Sequence, residues 1–253
     1  MLPQLITTPI RLILQTILGK DRYRRARSRF FWIRKHGLKY YSMWGYRGLG
    51  GGLTDDEGIA LYDLARLLPN ESVIVEIGSW LGKSAIILSR AVKRKKGATL
   101  FCVDPFNADG DSESLQGYRR RAQGLGGRLY DQFVFNLKQY GNYKCVQVLN
   151  GYSYDFSRNW DTPIDLLFID GNHAYEAVRR DFTEWSPFVK PGGYIVMHDV
   201  SFDPGFVHQG PARVVKELVL TDAGGWVHAI LVGFMFFACK ALGGAGNGSR
   251  SDS

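Results

Sequence analysis

The chain has 253 residues, of which 45% are hydrophobic and 22% charged, and its formal net charge is +8. This composition is that of a globular protein and excludes a wholly disordered chain, a collagen-like repeat and a small disulfide scaffold. No run reaches the roughly 18 apolar residues of a membrane-spanning helix, and the N-terminus lacks the pattern of a signal peptide, so a cytoplasmic location is predicted.

The excess positive charge lies at the N-terminus. Residues 1–40 contain ten Lys or Arg and one acid, whereas the remainder is almost neutral. Thr8-Pro9 is typical of the start of an amphipathic helix, which Gly19 ends, and basic residues mixed with aromatic ones follow. Three partners are considered, in decreasing order: the protein body or a second copy in a homo-oligomer, an anionic membrane surface bound peripherally, and nucleic acid. We predict that residues 1–53 form a basic extension ending in a glycine-rich connector.

The body alternates between strands and helices. The predicted strands are 72–77, 99–103, 144–149, 164–169, 194–198, 226–231 and 234–240, and the predicted helices are 54–68, 83–92, 129–140, 175–189 and 212–220. Residues 105–128 are predicted to be a long loop with room for one helix. Apolar strands alternating with helices indicate a buried parallel sheet, and the last two strands are too close for a crossover, so they are antiparallel. The predicted domain is therefore 54–242, followed by a disordered tail, 243–253.

Two acids lie at the carboxyl ends of the first two predicted strands. The first strand runs into Glu76-Ile77-Gly78-Ser79-Trp80-Leu81-Gly82-Lys83-Ser84, a glycine turn that allows a ligand close to the backbone. Its spacing matches neither a dinucleotide fingerprint nor a phosphate loop. Glu76 would repel a pyrophosphate but suits a cation, and Asp104 can accept both hydroxyls of a ribose. The pair predicts a cationic ligand that contains adenosine.

Acids and histidines follow the fourth and fifth predicted strands. Asp170 and His173 come after one, and His198 and Asp199 end the other. The carboxyl ends of parallel strands meet at one edge of a sheet, so these side chains are predicted to converge. His173 is the candidate general base, and Asp170, Asp199 and His198 are candidate ligands for Mg²⁺ or Mn²⁺.

Four segments, in this order, resemble the class I S-adenosylmethionine-dependent methyltransferases: VIVEIGSWLGKSA, FCVDPF, LLFIDGNHAYEAVRRDF and KPGGYIVMHD. They are most similar to the branch of macrocin O-methyltransferase and the cephalosporin hydroxylase-like proteins. The resemblance covers residues 54–240. It implies an α/β fold with a Rossmann-like, doubly wound, seven-stranded sheet that is mostly parallel and has an antiparallel last strand.

The resemblance also implies which residues bind S-adenosylmethionine. Glu76, Gly78, Ser79, Gly82 and Ser84 would line the methionine end, Asp104 would hold the ribose, Gly151 and Ser153 would lie near the adenine, and Asp170 completes the set. Related metal-dependent enzymes often have an acid where this chain has His198, which leaves the metal as an option.

The predicted function is O-methylation of a hydroxyl on a sugar or polyol-like small molecule, with or without a divalent metal. A nucleic-acid methyltransferase that uses the basic N-terminal extension is the first alternative. Asp170-Gly171-Asn172-His173 stands where base methylases carry an Asn/Asp-Pro-Pro-aromatic motif, which disfavours that alternative. The second is a non-catalytic, membrane-associated adaptor.

Overall fold

The computed structural model describes residues 15–221 and 225–242. The chain divides between Arg47 and Gly48 into two compact units. Most of the predicted helix from Thr8 to Leu18, and the whole of the predicted tail, lie outside the described residues. Within the described ranges, no helix combines the length and the apolar character needed to cross a membrane.

The first unit contains a long basic helix, α1 (Lys20–His36), followed by a 3₁₀ segment, Leu38–Gly48. The Trp32 indole donates a hydrogen bond of 2.9 Å to the carbonyl oxygen of Tyr40, which ties the two segments together. Tyr23 and Trp32 are the two buried residues of α1. They are nine positions apart and therefore lie on opposite sides of the helix, so α1 has no single apolar stripe.

The second unit begins with a capped helix. Thr54 Oγ1 accepts the Glu57 amide, and Glu57 Oε2 accepts the Thr54 amide at 2.7 Å, a capping box that leaves neither amide unpaired. The helices of this unit are α2 (Asp55–Leu67), α3 (Lys83–Ala91), α4 (Leu115–Gly124), α5 (Leu129–Tyr140), α6 (Ser153–Ser157), α7 (Tyr175–Trp185) and α8 (Gln209–Val214), which continues as a π-helical turn, Val215–Val219.

A seven-stranded sheet forms the centre of this unit. Its strands are β1 (Val73–Ile77), β2 (Thr99–Asp104), β3 (Val146–Asn150), β4 (Ile164–Ile169), β5 (Val189–Met197), β6 (Trp226–Val232) and β7 (Met235–Lys240). Their order is β3-β2-β1-β4-β5-β7-β6. Strands β1 to β5 pair in parallel, and β7 is antiparallel to both β5 and β6. The predicted fold is therefore confirmed, including its antiparallel last strand.

The junction between α7 and β5 differs from the prediction. The helix was expected to reach Val189, but it ends at Trp185, and a 3₁₀ turn, Ser186–Phe188, follows. Pro187 has no amide hydrogen to continue the helix. Strand β5 starts at Val189 rather than Tyr194, because residues 191–193 are absorbed into the strand as an irregularity opposite β4.

Three further segments differ locally. Helix α8 begins at Gln209 rather than at Ala212. Strand β3 begins at Val146 instead of Lys144, after a 3₁₀ turn, Tyr143–Cys145. The short helix α6 was not predicted, because five residues are too few for a hydrophobic period to show.

The sheet register brings the predicted site segments together. Ile77, the last residue of β1, pairs with Val103 of β2 on one side and with Ile169 of β4 on the other. Ile169 in turn pairs with Met197 of β5. The residues that follow these four strand ends therefore lie side by side at the carboxyl edge of the sheet.

Candidate active site

The turn after β1 requires glycine. Gly78 has φ of +89°, and a Cβ there would stand 2.2 Å from the Asp170 carbonyl oxygen. No L-residue could occupy this position without moving the backbone after β4. The close approach of the two turns leaves Gly78 and Asp170 in the wall of the same cavity.

Asp104, at the end of β2, is tied to the surrounding backbone. Its Oδ2 accepts the Trp80 amide at 2.8 Å and its Oδ1 accepts the Phe106 amide at 2.6 Å. Burial raises the pKa of Asp104, and these backbone hydrogen bonds oppose that rise. Each carboxylate oxygen has a second lone pair, so Asp104 can still accept hydrogen bonds from a ligand.

A cavity of about 320 Å³ opens at this edge of the sheet. Of the predicted cofactor residues, it is lined by Gly78, Asp104, Gly151, Ser153 and Asp170. A smaller cavity of about 40 Å³ adjoins it at Gly78, Trp80 and Asp170 and is also lined by Ser79 and Ser84. Residues 50–53 of the glycine-rich connector form its other wall. Lys83 Nζ donates hydrogen bonds to the carbonyl oxygens of Gly51 and Leu53, which holds the connector in place.

Two predicted cofactor residues line neither cavity. Gly82 has a left-handed conformation at the start of α3 and packs against Phe133. Glu76 is fully buried, and its Oε2 accepts the Ser79 hydroxyl at 2.5 Å. Burial raises the pKa of Glu76 to about 7. Its Oε1 is buried and has no hydrogen-bond partner among the described residues.

His173 lies between two carboxylates. Its Nδ1 is 2.8 Å from Asp111 Oδ2, and its Nε2 is 3.1 Å from Asp199 Oδ2. Burial would lower the pKa of His173, but Asp199, Asp170 and Asp111 together raise it. The His208 ring stacks on His173 with centroids 4.2 Å apart. Both ring nitrogens of the predicted base are therefore occupied by acids.

His198 also lies among acids. Its Nδ1 is 3.1 Å from Asp170 Oδ1 and 3.3 Å from Asp199 Oδ2, and its Nε2 is 3.5 Å from Glu57 Oε2. Burial would lower its pKa, but these three carboxylates raise it to about 12. His198 is thus a buried cation. Burial would raise the pKa of Asp199, but His173 and His198 together hold it well below its usual range.

The arrangement offers two groups of metal-ligating atoms within the part of the chain that the structure describes. One is Asp170, His173 and Asp199, with ligand atoms within 4.8 Å of one another. The other is Asp111, His173 and His208. His198, predicted as a ligand, belongs to neither. His173, predicted as the base, belongs to both.

Several lining residues were not predicted. They are Trp80, Asn107, Tyr118, Tyr152, Tyr154 and Asp181. Three of them, Trp80, Asn107 and Tyr152, lie in loops, where no sequence period shows which way a side chain faces, and Tyr118 and Tyr154 lie in the short helices α4 and α6. Asp181 is different, because it occupies the apolar face of α7 beside Val178, Phe182 and Trp185, all of them buried. An acid on the apolar face of a helix is unusual, so the sequence alone could have indicated Asp181 as a candidate site residue.

The fold and the site agree with a comparison against protein families. Residues 75–200 match the family model described as "Methyltransferase domain". These residues span β1 to the end of β5 and include most of the cavity wall. Residues 75–200 are therefore a methyltransferase domain, and the predicted class, the class I S-adenosylmethionine-dependent methyltransferases, is confirmed.

Particular relatives share part of the chain. Protein R132 of Acanthamoeba polyphaga mimivirus is 34% identical over 130 residues, which cover 49% of this chain and 50% of that protein. Protein y4gI of Sinorhizobium fredii is 28% identical over 127 residues, 50% of this chain and 13% of that protein. This chain therefore spans half or less of the length of the curated relatives that it matches.

Solved structures share the fold. The O-methyltransferase TomG from Streptomyces achromogenes, in complex with S-adenosylmethionine, has a TM-score of 0.55 at 20% identity, covering 79% of this chain and 87% of that one. An O-methyltransferase from Bacillus cereus, in complex with S-adenosylhomocysteine, has a TM-score of 0.56 at 16% identity, covering 83% and 96%.

Proposed function

We propose that this chain transfers the methyl group of S-adenosylmethionine to a hydroxyl of a sugar or polyol-like small molecule. One observation carries the proposal. Asp170 lines the cavity beside Gly78 and also contacts His198 within the acid–histidine cluster. A donor in the cavity and a hydroxyl at the cluster would therefore meet at the carboxyl edge of the sheet.

The two adjoining cavities suit the two parts of the cofactor. The larger one, with Asp104 in its wall, has the size and polarity for a nucleoside. The smaller one lies beside Ser79 and Ser84 under the glycine-rich connector, where the methionine part would extend. Glu76 is buried next to the glycine turn that follows β1, and its carboxyl group favours the positive charge of a sulfonium.

Transfer to an alcohol breaks the bond between sulfur and the methyl carbon and forms a bond between that carbon and oxygen. The hydroxyl proton has to leave as the new bond forms. His173 Nε2 is 3.1 Å from Asp199 Oδ2. Asp199 and the neighbouring acids raise the pKa of His173 against the effect of burial, so its imidazole can accept the hydroxyl proton only in its neutral form, and we assign the removal of that proton to this form.

A divalent cation is compatible with the same residues. Asp170, His173 and Asp199 supply two carboxylates and one imidazole, and Asp111 holds the other nitrogen of His173 as an outer partner. This donor set suits Mn²⁺ better than Mg²⁺. When bound, such an ion would lower the pKa of a coordinated hydroxyl.

The charge of the cluster favours a neutral acceptor. The cluster contains four carboxyl groups. Three of them, those of Glu57, Asp170 and Asp199, contact the His198 cation, and the fourth, that of Asp111, contacts His173. A phosphate backbone would be repelled there, whereas hydroxyls can donate hydrogen bonds to carboxylates. This supports a polyol-like acceptor over nucleic acid.

The first test is calorimetric. S-adenosylhomocysteine should bind the protein, and Asp104→Ala should abolish that binding, because the ribose loses its acceptor. Glu113→Ala, on the exposed surface, is the control and should bind as the wild type does. Binding to Asp104→Ala with unchanged affinity would contradict the proposed cofactor site. A screen of glycosides and polyols with methyl-labelled cofactor then identifies the acceptor.

The second test concerns the metal. Free Mn²⁺, followed by electron paramagnetic resonance, should disappear on titration with wild-type protein and remain with Asp199→Asn. If wild-type protein leaves the Mn²⁺ signal unchanged, the metal is excluded. His173→Ala should then still lower turnover while leaving the affinity for S-adenosylhomocysteine intact, because a base acts on the acceptor and not on the cofactor.

A further inference from the structure

Asp181 and Ser153 form a buried pair in the cavity wall. The Ser153 hydroxyl donates a short hydrogen bond to Asp181 Oδ1. Both residues are buried, and both line the cavity that holds Asp104. Ser153 begins α6 and Asp181 lies on α7, so the pair also links two helices.

A second pair of the same kind shows that linking these helices does not require a place in the cavity. One turn further along, the Ser157 hydroxyl donates to Glu184 Oε2 at 2.5 Å, again between α6 and α7. Neither Ser157 nor Glu184 lines the cavity. Helix linkage alone therefore does not explain why Asp181 stands in the cavity wall.

The second oxygen of Asp181 lacks a partner from the protein. No described residue donates a hydrogen bond to Oδ2. Gly171 leaves space beside it, since a Cβ on that glycine would be 3.7 Å away. Burial raises the pKa of Asp181 to about 6, so at neutral pH the group is an anion that accepts hydrogen bonds. A carboxylate oxygen that is open to the cavity can accept a hydrogen bond from a donor on the ligand.

We propose that Asp181 is the residue that selects adenine, with its Oδ2 accepting a hydrogen bond from the exocyclic amino group and Ser153 holding the carboxylate in place. The inference rests on the proposed function. The other donors of an adenosyl ligand are the ribose hydroxyls and the methionine ammonium. In the proposed binding mode the hydroxyls would donate to Asp104 and the ammonium would lie towards the small cavity. The adenine amine is the donor that remains for Asp181.

The test compares two ligands that differ at this group. S-adenosylhomocysteine carries the amine, and its purine riboside analogue carries hydrogen in its place, so that it offers no donor to Asp181 Oδ2. Calorimetry of the wild type should show at least about tenfold tighter binding of the adenosine compound. Asp181→Asn keeps the shape, and because Ser153 donates to the remaining oxygen, it places an N–H group where Oδ2 would accept from the adenine amine. It should lose about tenfold in adenosine affinity and lose or reverse the preference.

Glu184→Gln is the matched control, because it alters the equivalent pair on the same helices outside the cavity. It should keep the wild-type preference. If Asp181→Asn weakens both ligands equally, or if the wild type binds both equally well, Asp181 has only a structural role and the inference is overturned. If the wild type binds neither compound, the proposed function falls as well.

Discussion

At the scale of single residues, Glu76 shows that the site is built at some expense of stability. Its side chain is fully buried, one of its oxygens has no hydrogen-bond partner in the part of the chain that the structure describes, and burial raises its pKa from an ordinary 4.5 to about 7. The folded state therefore binds this proton more tightly than the unfolded state does. Ionisation of Glu76 lowers stability as the pH rises from about 4.5 through 7. A carboxyl group kept there at such a cost is consistent with binding a cationic donor.

Glu76→Gln should therefore stabilise the protein in a pH-dependent way. The amide cannot ionise, so the gain over the wild type should be small at pH 4.5 and reach at most about 3 kcal/mol at pH 8. Urea denaturation at the two pH values measures it. The exposed Glu113→Gln serves as the control and should show no such change. A gain of equal size at both pH values would refute the assignment of the effect to Glu76 ionisation.

At the scale of elements, Glu57 joins three parts of the fold. Its Oε1 accepts the Phe234 amide in the turn between β6 and β7, and its Oε2 accepts the Thr54 amide and faces His198 at the end of β5. Burial would raise the pKa of Glu57, but these partners lower it to about 2. Gly233 is confined by the same carboxylate, since a Cβ there would lie 2.5 Å from Glu57 Oε1. A helix-capping residue thus also orients the buried cation of the site.

Glu57→Ala should be much more damaging than loss of the cap alone. It leaves the buried His198 cation with one carboxylate fewer and the Phe234 amide unpaired, which should cost about 3–5 kcal/mol in the free energy of unfolding. Thr54→Ala removes only the capping hydroxyl and should cost about 1 kcal/mol. Urea denaturation of both variants separates the two effects. Equal losses would mean that Glu57 acts only as part of the capping box.

At the scale of the whole molecule, charge is divided between the two units. Residues 1–40 carry most of the excess positive charge, and α1 exposes its arginines on all sides because it has no single apolar stripe. This distribution favours electrostatic attraction to an anionic surface over burial of one helix face in lipid. Three predicted partners of this extension stay untested: the protein body or a second copy, an anionic membrane surface, and nucleic acid.

Vesicle flotation distinguishes these partners. The protein should float with phosphatidylserine vesicles, stay in solution with phosphatidylcholine vesicles, and detach in 0.5 M salt, because each exposed cation contributes about 1 kcal/mol that salt screens. Replacing Arg22, Arg25 and Arg27 by Gln should reduce flotation strongly. The same replacement at Arg119, Arg120 and Arg121, on the second unit, removes equal charge and should have little effect. Binding to RNA without flotation would favour nucleic acid.

The sequence by itself determined the sheet and the residues at its carboxyl edge. Strand β4 and helix α5 were predicted with the bounds that the structure has, because their apolar patterns are long and end at clear turn signals. The sequence also predicted that Gly78, Asp104 and Asp170 lie at the carboxyl edge of the sheet, because parallel strands bring their carboxyl ends together independently of the loop conformations. The predicted boundary between α7 and β5 at Val189 was wrong, because an irregularity within a strand produces no periodic pattern in the sequence.

Only the tertiary structure decided how the side chains pair. Glu57, Asp111 and Asp181 are 54 or more residues apart from one another, and each meets its histidine or serine partner through packing between elements. Packing turned His198 into a buried cation and enclosed His173 between two acids. The protonation state of a histidine depends on the charges and burial around it, which the fold assembles and the linear sequence does not display.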